Sequence, residues 1–228
     1  MQYSRATFLT ASAALAGVAL ARPAEGAPPP PSGPASPEML LGQLMAGNKR
    51  FVDDDFPQSN RIADKRALVI EGQAPFAAVL SCADSRVIPE LVFVQGIGQL
   101  FVTRVAGNYP DDLVLGSIEY AIEHLGTRLI LVLGHEGCGA VKAVYGALEK
   151  NTELPTHLSS IQKLVAPGIA EVVKRRGSQA AAVEANVRAA VALLASSPPI
   201  ISKEVSAGRV RVAGGVYHLK SGEVSLLG

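Results

Sequence analysis

Two short segments of the sequence carry side chains that can bind a metal ion. In the first, Cys82 is followed by Asp84 and Arg86; in the second, His135 and Cys138 are separated by two residues. Two thiolates and one neutral imidazole form a good tetrahedral set for zinc, and three protein ligands with one open position are typical of catalytic zinc sites. Asp84 could fill the fourth position or remain just outside the ligand set. These residue types predict a zinc site, provided that the fold brings the two segments together.

Other interpretations of the cysteines stay open at this point. Cys82 and Cys138 are the only two in the chain, so they could form one disulfide, which export from the cytoplasm would favour. Either could be a small apolar residue of the core, and the pair could have a redox role. A single His-x-x-Cys motif is weak evidence for a metal, whereas two half-sites at the ends of two strands favour one.

Each segment follows a run of apolar residues of strand length. Residues 76–80 run up to Cys82, residues 129–133 run up to His135, and a third short run covers 100–102. Runs that are continuously apolar, rather than alternating, indicate strands buried on both faces of a parallel sheet. Ligands of such sheets bind just beyond the carboxyl ends of the strands. The two half-sites should therefore lie at one end of the sheet.

Helical patterns alternate with these strands. A helix should begin at residues 36–38, where a serine cap precedes a proline and a glutamate of the first turn. Further elements are predicted in two groups, helices over 61–70, 113–125 and 180–195 and late strands over 209–213 and 224–226. The alternation of strands and helices predicts an α/β fold with a mainly parallel central β-sheet.

The composition limits the class of protein. The chain has 228 residues, enough for one domain with or without a tail, and 48% of them are hydrophobic, enough for a buried core. The formal net charge is +1, tryptophan is absent, and only 5% of the residues are aromatic. A nucleic-acid partner would require a basic surface or aromatic side chains that stack on bases. The composition therefore argues against nucleic acid as the main partner.

The first residues are predicted to direct export. Residues 1–27 combine Arg5, an apolar stretch over 8–21 that is too short to span a membrane, and small residues suited to cleavage. Segment 4–9 is similar to a bacterial twin-arginine signal, although Ala6 stands where the second arginine is expected. An uncleaved membrane anchor or a start codon placed too early would be alternatives.

A proline-rich spacer separates this signal from the folded part of the chain. Residues 28–35 contain five prolines, which favour a stiff, extended chain. The folded domain should therefore cover residues 36–228. We expect the mature protein to be periplasmic or secreted, without membrane association once the signal is removed.

The metal-binding segments occur in motifs that resemble those of the β-class carbonic anhydrases. These motifs are Cys82-x-Asp84-Ser85-Arg86 and Gly134-His135-x-x-Cys138-Gly139. Further segments resemble signatures of the same family, namely residues 44–51, 101–108, 117–121 and 124–126. The resemblance covers residues 36–228. It implies four parallel strands extended by an antiparallel edge strand and flanked by helices, in agreement with the α/β fold read from the apolar runs.

The resemblance also implies an activity, the reversible hydration of carbon dioxide to bicarbonate and a proton by zinc-bound hydroxide. Cys82, His135 and Cys138 would hold one Zn²⁺ per chain. Asp84 and Arg86 would form the catalytic pair, and Asp84 would become a fourth ligand in a closed state only. Two alternatives remain, a related zinc hydrolase acting on CS2 or COS and a non-catalytic module that binds zinc or bicarbonate.

The substrate pocket and the quaternary structure follow from the same resemblance. Four residues fall at positions that contact bicarbonate or line the pocket in the family: Gln73, Phe101, Ala106 and Tyr120. Three of them, Gln73, Phe101 and Tyr120, would come from the neighbouring subunit, so a homodimer or a tetramer is expected. The remaining histidines match no ligand position and are expected to pack in the core or at the surface: His124, His157 and His218.

Overall fold

The computed structural model describes residues 35–57 and 66–228, and its centre is a five-stranded β-sheet. The strands are β1 (Ala77–Ser81), β2 (Leu100–Arg104), β3 (Leu129–His135), β4 (Arg211–Tyr217) and β5 (Val224–Leu227). They lie in the order β2-β1-β3-β4-β5. The first four are parallel to one another, and β5 runs antiparallel to β4. The predicted fold, four parallel strands with an antiparallel edge strand, is confirmed.

The register of the sheet aligns the ends of three strands. Ser81, the last residue of β1, lies opposite Arg104 of β2 and Leu133 of β3. β3 continues two residues further, and its last residue, His135, lies opposite Tyr217 of β4. His135 therefore belongs to the strand itself, two residues beyond the apolar run that predicts it. The chain leaves β1, β2 and β3 at the same end of the sheet, where parallel sheets bind ligands.

Helices flank this sheet. They are α1 (Pro37–Val52), α2 (Pro89–Val92), α3 (Asp112–Leu125), α4 (Gly139–Glu149), α5 (Leu158–Lys174), α6 (Gln179–Ser196) and α7 (Ile200–Ser206). α1 begins where the sequence predicts, because the Ser36 side chain accepts a hydrogen bond from the Met39 N–H. α6 begins in the same way at Ser178, whose side chain accepts from the Ala181 N–H.

Apolar side chains cover both faces of the sheet, as continuous apolar runs require. All residues of β1 and β3 are buried. Leu80 and Val132 belong to a core cluster shared with α3, α4, α5 and α6, and Val79 and Leu131 belong to a second cluster shared with α1. The middle of the sheet is therefore enclosed on both faces by apolar side chains.

Parts of the sequence prediction lie outside the described residues. These parts are the export signal (1–27), nearly all of the spacer (28–35) and most of the helix predicted over 61–70, of which residues 66–68 are helical. The sequence patterns did not locate four of the helices, namely α2, α4, α5 and α7. Within the described ranges, no helix is long and apolar enough to cross a membrane.

Candidate metal centre

The ends of β1 and β3 bring together three side chains that can bind a metal. Cys82 follows β1 directly, His135 is the last residue of β3, and Cys138 immediately precedes α4. Their ligand atoms all lie within 4.8 Å of one another, and all three residues are buried. Gly137 has a φ of +63°, a left-handed conformation that glycine adopts without strain, so the chain can turn sharply between the two ligands of this segment.

The geometry of these donors fits a tetrahedral metal ion. The Sγ atoms of Cys82 and Cys138 are 3.9 Å apart. Two thiolates at about 2.3 Å from one tetrahedral zinc would be about 3.8 Å apart. Both cysteines are free, so the alternative of a disulfide is not realised.

The imidazole of His135 is oriented for metal binding. Its Nδ1 lies 2.9 Å from the backbone oxygen of Glu136, which can only accept a hydrogen bond. Nδ1 therefore carries the proton, and the lone pair of Nε2 is available to a metal. No residue in the described ranges forms a hydrogen bond with this buried Nε2. An unpaired buried nitrogen beside two thiols fits a zinc ligand set of two sulfurs and one imidazole.

The two thiols differ in how readily they ionise. The hydrogen bond with Cys138 lowers the pKa of Cys82, and the backbone N–H of Gly107 contributes in the same direction. The same bond between the sulfurs raises the pKa of Cys138, and burial raises it further. A cation bound between the two sulfurs would favour the thiolate form of both, because metal ligands must lose their protons.

Asp84 and Arg86 form a bidentate ion pair beside this cluster. Asp84 Oδ1 accepts hydrogen bonds from the Nε (2.9 Å) and the backbone N–H (3.0 Å) of Arg86, and Oδ2 accepts from Nη2 (2.8 Å). The Arg86 guanidinium holds the pKa of Asp84 well below its usual range. Asp84 Oδ2 is 3.9 Å from His135 Nε2. The carboxylate therefore borders the metal-binding cluster while both its oxygens are bound by Arg86.

A second arginine, which the sequence reasoning missed, holds the loop that carries these groups. Arg104, the last residue of β2, donates from Nε to the backbone oxygen of Cys82 (3.1 Å) and from Nη2 to that of Asp84 (2.6 Å). Backbone hydrogen bonds of Val105 with Ser81 and Ala83 join the same two loops. The segment from Cys82 to Asp84 is therefore fixed by the neighbouring strand.

Polar side chains outside the turn between His135 and Cys138 hold this turn in place. Glu136 Oε1 is 2.8 Å from His218 Nδ1, and His218 Nε2 is 2.9 Å from Ser225 Oγ. The bond with His218 lowers the pKa of Glu136. This chain of polar contacts ties the turn to the hairpin of β4 and β5. His218 is partly exposed, and its two polar partners were not predicted from the sequence.

Comparison with known proteins identifies the family of this chain. The family model described as carbonic anhydrase matches residues 77–224. The match runs from the first residue of β1 to the first residue of β5 and includes Cys82, His135 and Cys138. The chain belongs to the carbonic anhydrase family.

Curated relatives agree with this assignment. "Carbonic anhydrase 2" of Mycobacterium tuberculosis is 38% identical over 80% of this chain and 89% of its own length. The carbonic anhydrase of Mycolicibacterium smegmatis is 40% identical over 84% of this chain and 94% of its own. The activity is accordingly that of a carbonic anhydrase, the reversible hydration of carbon dioxide, and hydrolysis of CS2 or COS is disfavoured.

Solved structures of β-carbonic anhydrases share the fold. A β-carbonic anhydrase of Coccomyxa, in complex with acetazolamide, has a TM-score of 0.66 and 30% identity over 82% of this chain and 86% of its own. One of two tetrameric β-carbonic anhydrases of Sordaria macrospora, only 22% identical, has a TM-score of 0.62 over 84% of this chain and 95% of its own and matches in fold alone.

The predicted substrate residues of this carbonic anhydrase fall into two groups. Ala106 is exposed and adjoins Gly107, whose N–H contacts the Cys82 sulfur, so it borders the metal-binding cluster. Gln73 is exposed and precedes β1, whereas Cys82 follows that strand. Because a strand of this length spans about 16 Å, Gln73 lies at the opposite end of the sheet from its own cluster.

The two aromatic residues of the predicted pocket lie together, away from the cluster of the same chain. Phe101 is three residues before the end of β2, which places its backbone about 10 Å from the carboxyl end of the sheet. Its ring centroid is 6.3 Å from that of Tyr120 on α3, and Tyr120 is 49% exposed. One chain by itself therefore brings together the three candidate ligands, the ion pair and Ala106, but not Gln73, Phe101 or Tyr120.

Proposed function

We propose that this carbonic anhydrase binds one zinc ion per chain through Cys82, His135 and Cys138. The observation that carries this proposal is the buried cluster of two thiols and an unpaired imidazole nitrogen within 4.8 Å of one another. When bound there, zinc would supply a Lewis acid that lowers the pKa of a water molecule, so that the water loses a proton to solvent or buffer and the oxygen can attack carbon dioxide.

The ion pair beside the cluster orients the reacting groups. Because Arg86 keeps Asp84 ionised and binds both its oxygens, the carboxylate is held 3.9 Å from the imidazole nitrogen without entering the ligand set. From that position it can accept a hydrogen bond from the attacking water and fix its orientation. If Asp84 leaves Arg86, it can reach the metal position itself, which would give the closed, inactive state.

We further propose that the substrate pocket is completed by a second copy of the chain. Gln73, Phe101 and Tyr120 are at least partly exposed and lie away from the cluster of their own chain, so their predicted roles require a neighbouring subunit. Segment 88–120, around the edge strand β2, also exposes apolar side chains, namely Ile88, Leu91, Ile97 and Leu113. Where such side chains adjoin one another, they favour association between subunits.

Metal analysis of a ligand variant tests the zinc site. Wild type and His157→Ala, which removes an exposed histidine, should each contain one zinc per chain and hydrate carbon dioxide in stopped-flow assays. Cys138→Ala should lose zinc and activity together, because two donors cannot hold the ion against water. Stoichiometric zinc in purified Cys138→Ala would contradict the ligand assignment.

Export remains a separate proposal, supported by the signal-like pattern of residues 1–27. Fractionation of the native host should place the protein in the periplasm or medium, with a mature N-terminus near residue 28. Cytoplasmic protein that still begins at Met1 would refute it.

A further inference from the structure

One contact of the candidate ligand Cys82 comes from the backbone of another loop. Gly107 lies beyond the end of β2, and its N–H is 3.5 Å from the Cys82 Sγ. Its φ of +84° favours glycine, and a Cβ at this position would be 3.3 Å from Val165 Cγ2 on α5. The loop is therefore packed tightly against a helix at the residue that meets the sulfur.

The carbonyl group of Gly107 is held by a side chain distant in the sequence. Asn186 of α6, 79 residues further along the chain, donates from Nδ2 to the Gly107 oxygen at 2.8 Å. Asn186 is 1% exposed. The N–H of Gly107 thus contacts the Cys82 sulfur, and its C=O accepts from Asn186. The second bond restrains the residue whose N–H meets the sulfur.

Asn186 is a polar residue in apolar surroundings, and its hydrogen bond to Gly107 explains why a polar side chain occurs there. Its neighbours on the buried face of α6 are apolar, namely Ala182, Val183, Val187 and Ala190. Within the described part of the chain, Asn186 Oδ1 accepts no hydrogen bond. Burial of a carboxamide is unfavourable unless hydrogen bonds replace those to water. An apolar side chain would avoid this cost but could not hold Gly107.

We infer that Asn186 is a positioning residue that tunes the metal through Gly107 and Cys82. The inference rests on the proposed zinc site and concerns how strongly one of its ligands donates charge. An N–H group directed at a thiolate withdraws charge from the sulfur, and hydrogen bonds to ligands are a general means of tuning bound metals. Because two thiolates cancel the formal charge of the ion, this withdrawal leaves the metal a stronger Lewis acid.

Cobalt substitution reads the charge on the sulfur directly. In Asn186→Leu and Asn186→Ala, the sulfur-to-cobalt charge-transfer band of the Co²⁺-loaded full chain should move to lower energy, because the less stabilised thiolate gives up an electron more readily. The matched control is Thr127→Val. Thr127 is also 1% exposed, and its Oγ1 donates to the Pro75 oxygen (3.0 Å) at the other end of the sheet. The band should not move in this control, and an unmoved band in both Asn186 variants at full cobalt loading would overturn the inference.

A second measurement uses the wild-type chain and does not depend on the folding of any variant. With ¹¹³Cd in the site, an N–H···S–Cd hydrogen bond transmits scalar coupling between the metal and the Gly107 amide proton, which nuclear magnetic resonance detects. Absence of this coupling at full cadmium loading would overturn the link from Gly107 to Cys82. Failure of the wild type to bind either metal would refute the proposed zinc site and the inference with it. A fully loaded wild type that lacks the coupling, or fully loaded Asn186 variants with an unmoved band, would refute only the inference.

Discussion

Both carboxylate oxygens of Asp84 accept hydrogen bonds from Arg86, and Oδ2, with only one such bond, can still accept another from the attacking water. Asp84→Asn keeps the size of the side chain but removes its charge and one acceptor. We expect zinc to stay at one per chain and activity to fall by about 10- to 100-fold, the range typical of groups that orient metal ligands and bound water. Stopped-flow rates with zinc measured on the same sample test this, and wild-type turnover at full zinc occupancy would remove Asp84 from the mechanism.

Replacement of Arg86, which forms the ion pair with Asp84, should have a different effect. Arg86→Ala releases a carboxylate that lies 3.9 Å from His135 Nε2, so Asp84 can become a fourth metal ligand. Zinc should be retained, and the activity profile should move to higher pH, where hydroxide competes better with the carboxylate. Arg209→Ala breaks a comparable bidentate pair with Glu204 and should leave the profile unchanged. A pH–rate profile for Arg86→Ala that matches the wild type would contradict this role.

Among individual residues, the sequence predicts the candidate metal ligands better than it predicts the side chains that hold them in place. Cys82 and His135 are recognisable because their types are rare and their spacing after two apolar runs is informative. Arg104, Asn186 and His218 are not, because they act through backbone oxygens or through residues 20 to 82 positions away. No local pattern marks an arginine that binds a carbonyl group across two strands.

Helix α1 contains two glycines, Gly42 and Gly47, that differ in the space available for a side chain. A Cβ at Gly47 would lie 1.9 Å from the backbone oxygen of Phe93, which no rotamer change can relieve, whereas Gly42 on the same helix has open space. Gly47→Ala should therefore lower the free energy of unfolding by about 1–3 kcal/mol, as overpacking typically does. Gly42→Ala should raise it by roughly 0.5–1 kcal/mol through helix propensity. Urea unfolding of both variants measures this, and equal effects would show that α1 does not pack closely on Phe93.

The strands were easier to predict than the helices for a physical reason. β1 and β3 are buried on both faces, so their apolar runs are unmistakable in the sequence. α5 contains Pro167, and its Gly168 lies where a Cβ would be 2.7 Å from Ala189 Cβ on α6. Both residues disfavour a helix when considered locally, and packing against α6 decides the outcome.

For the whole molecule, complementation between two inactive variants tests whether the site is shared. Cys138→Ala lacks a metal site but keeps Gln73, and Gln73→Ala keeps the metal site. When both chains are refolded together, a mixed dimer should contain one intact site, made from the metal site of one chain and Gln73 of the other. About a quarter of the wild-type sites should recover if chains assort at random into closed dimers.

The control for this experiment uses a residue that lies on the same chain as the metal. Cys138→Ala mixed with Asp84→Asn should recover nothing, because Asp84 borders the cluster of its own chain. Recovery in this mixture, or full wild-type activity in a species that sediments as a monomer, would contradict a shared site. The sequence predicts the sheet of one subunit from its own burial pattern, but the arrangement of subunits rests on the resemblance alone.

The position of His135 in the sheet has a consequence for the order in which the metal would be released. β3 lies between β1 and β4, and all its residues are buried, so its amide protons should exchange with solvent only when the whole domain opens. Cys82 follows its strand, and Cys138 lies in the turn before α4, where local opening is easier. When a chelator removes the ion, a bond to sulfur should therefore break first and the bond to the imidazole last. Hydrogen exchange that is as fast at Leu133 as at Gly137 would contradict this order of release.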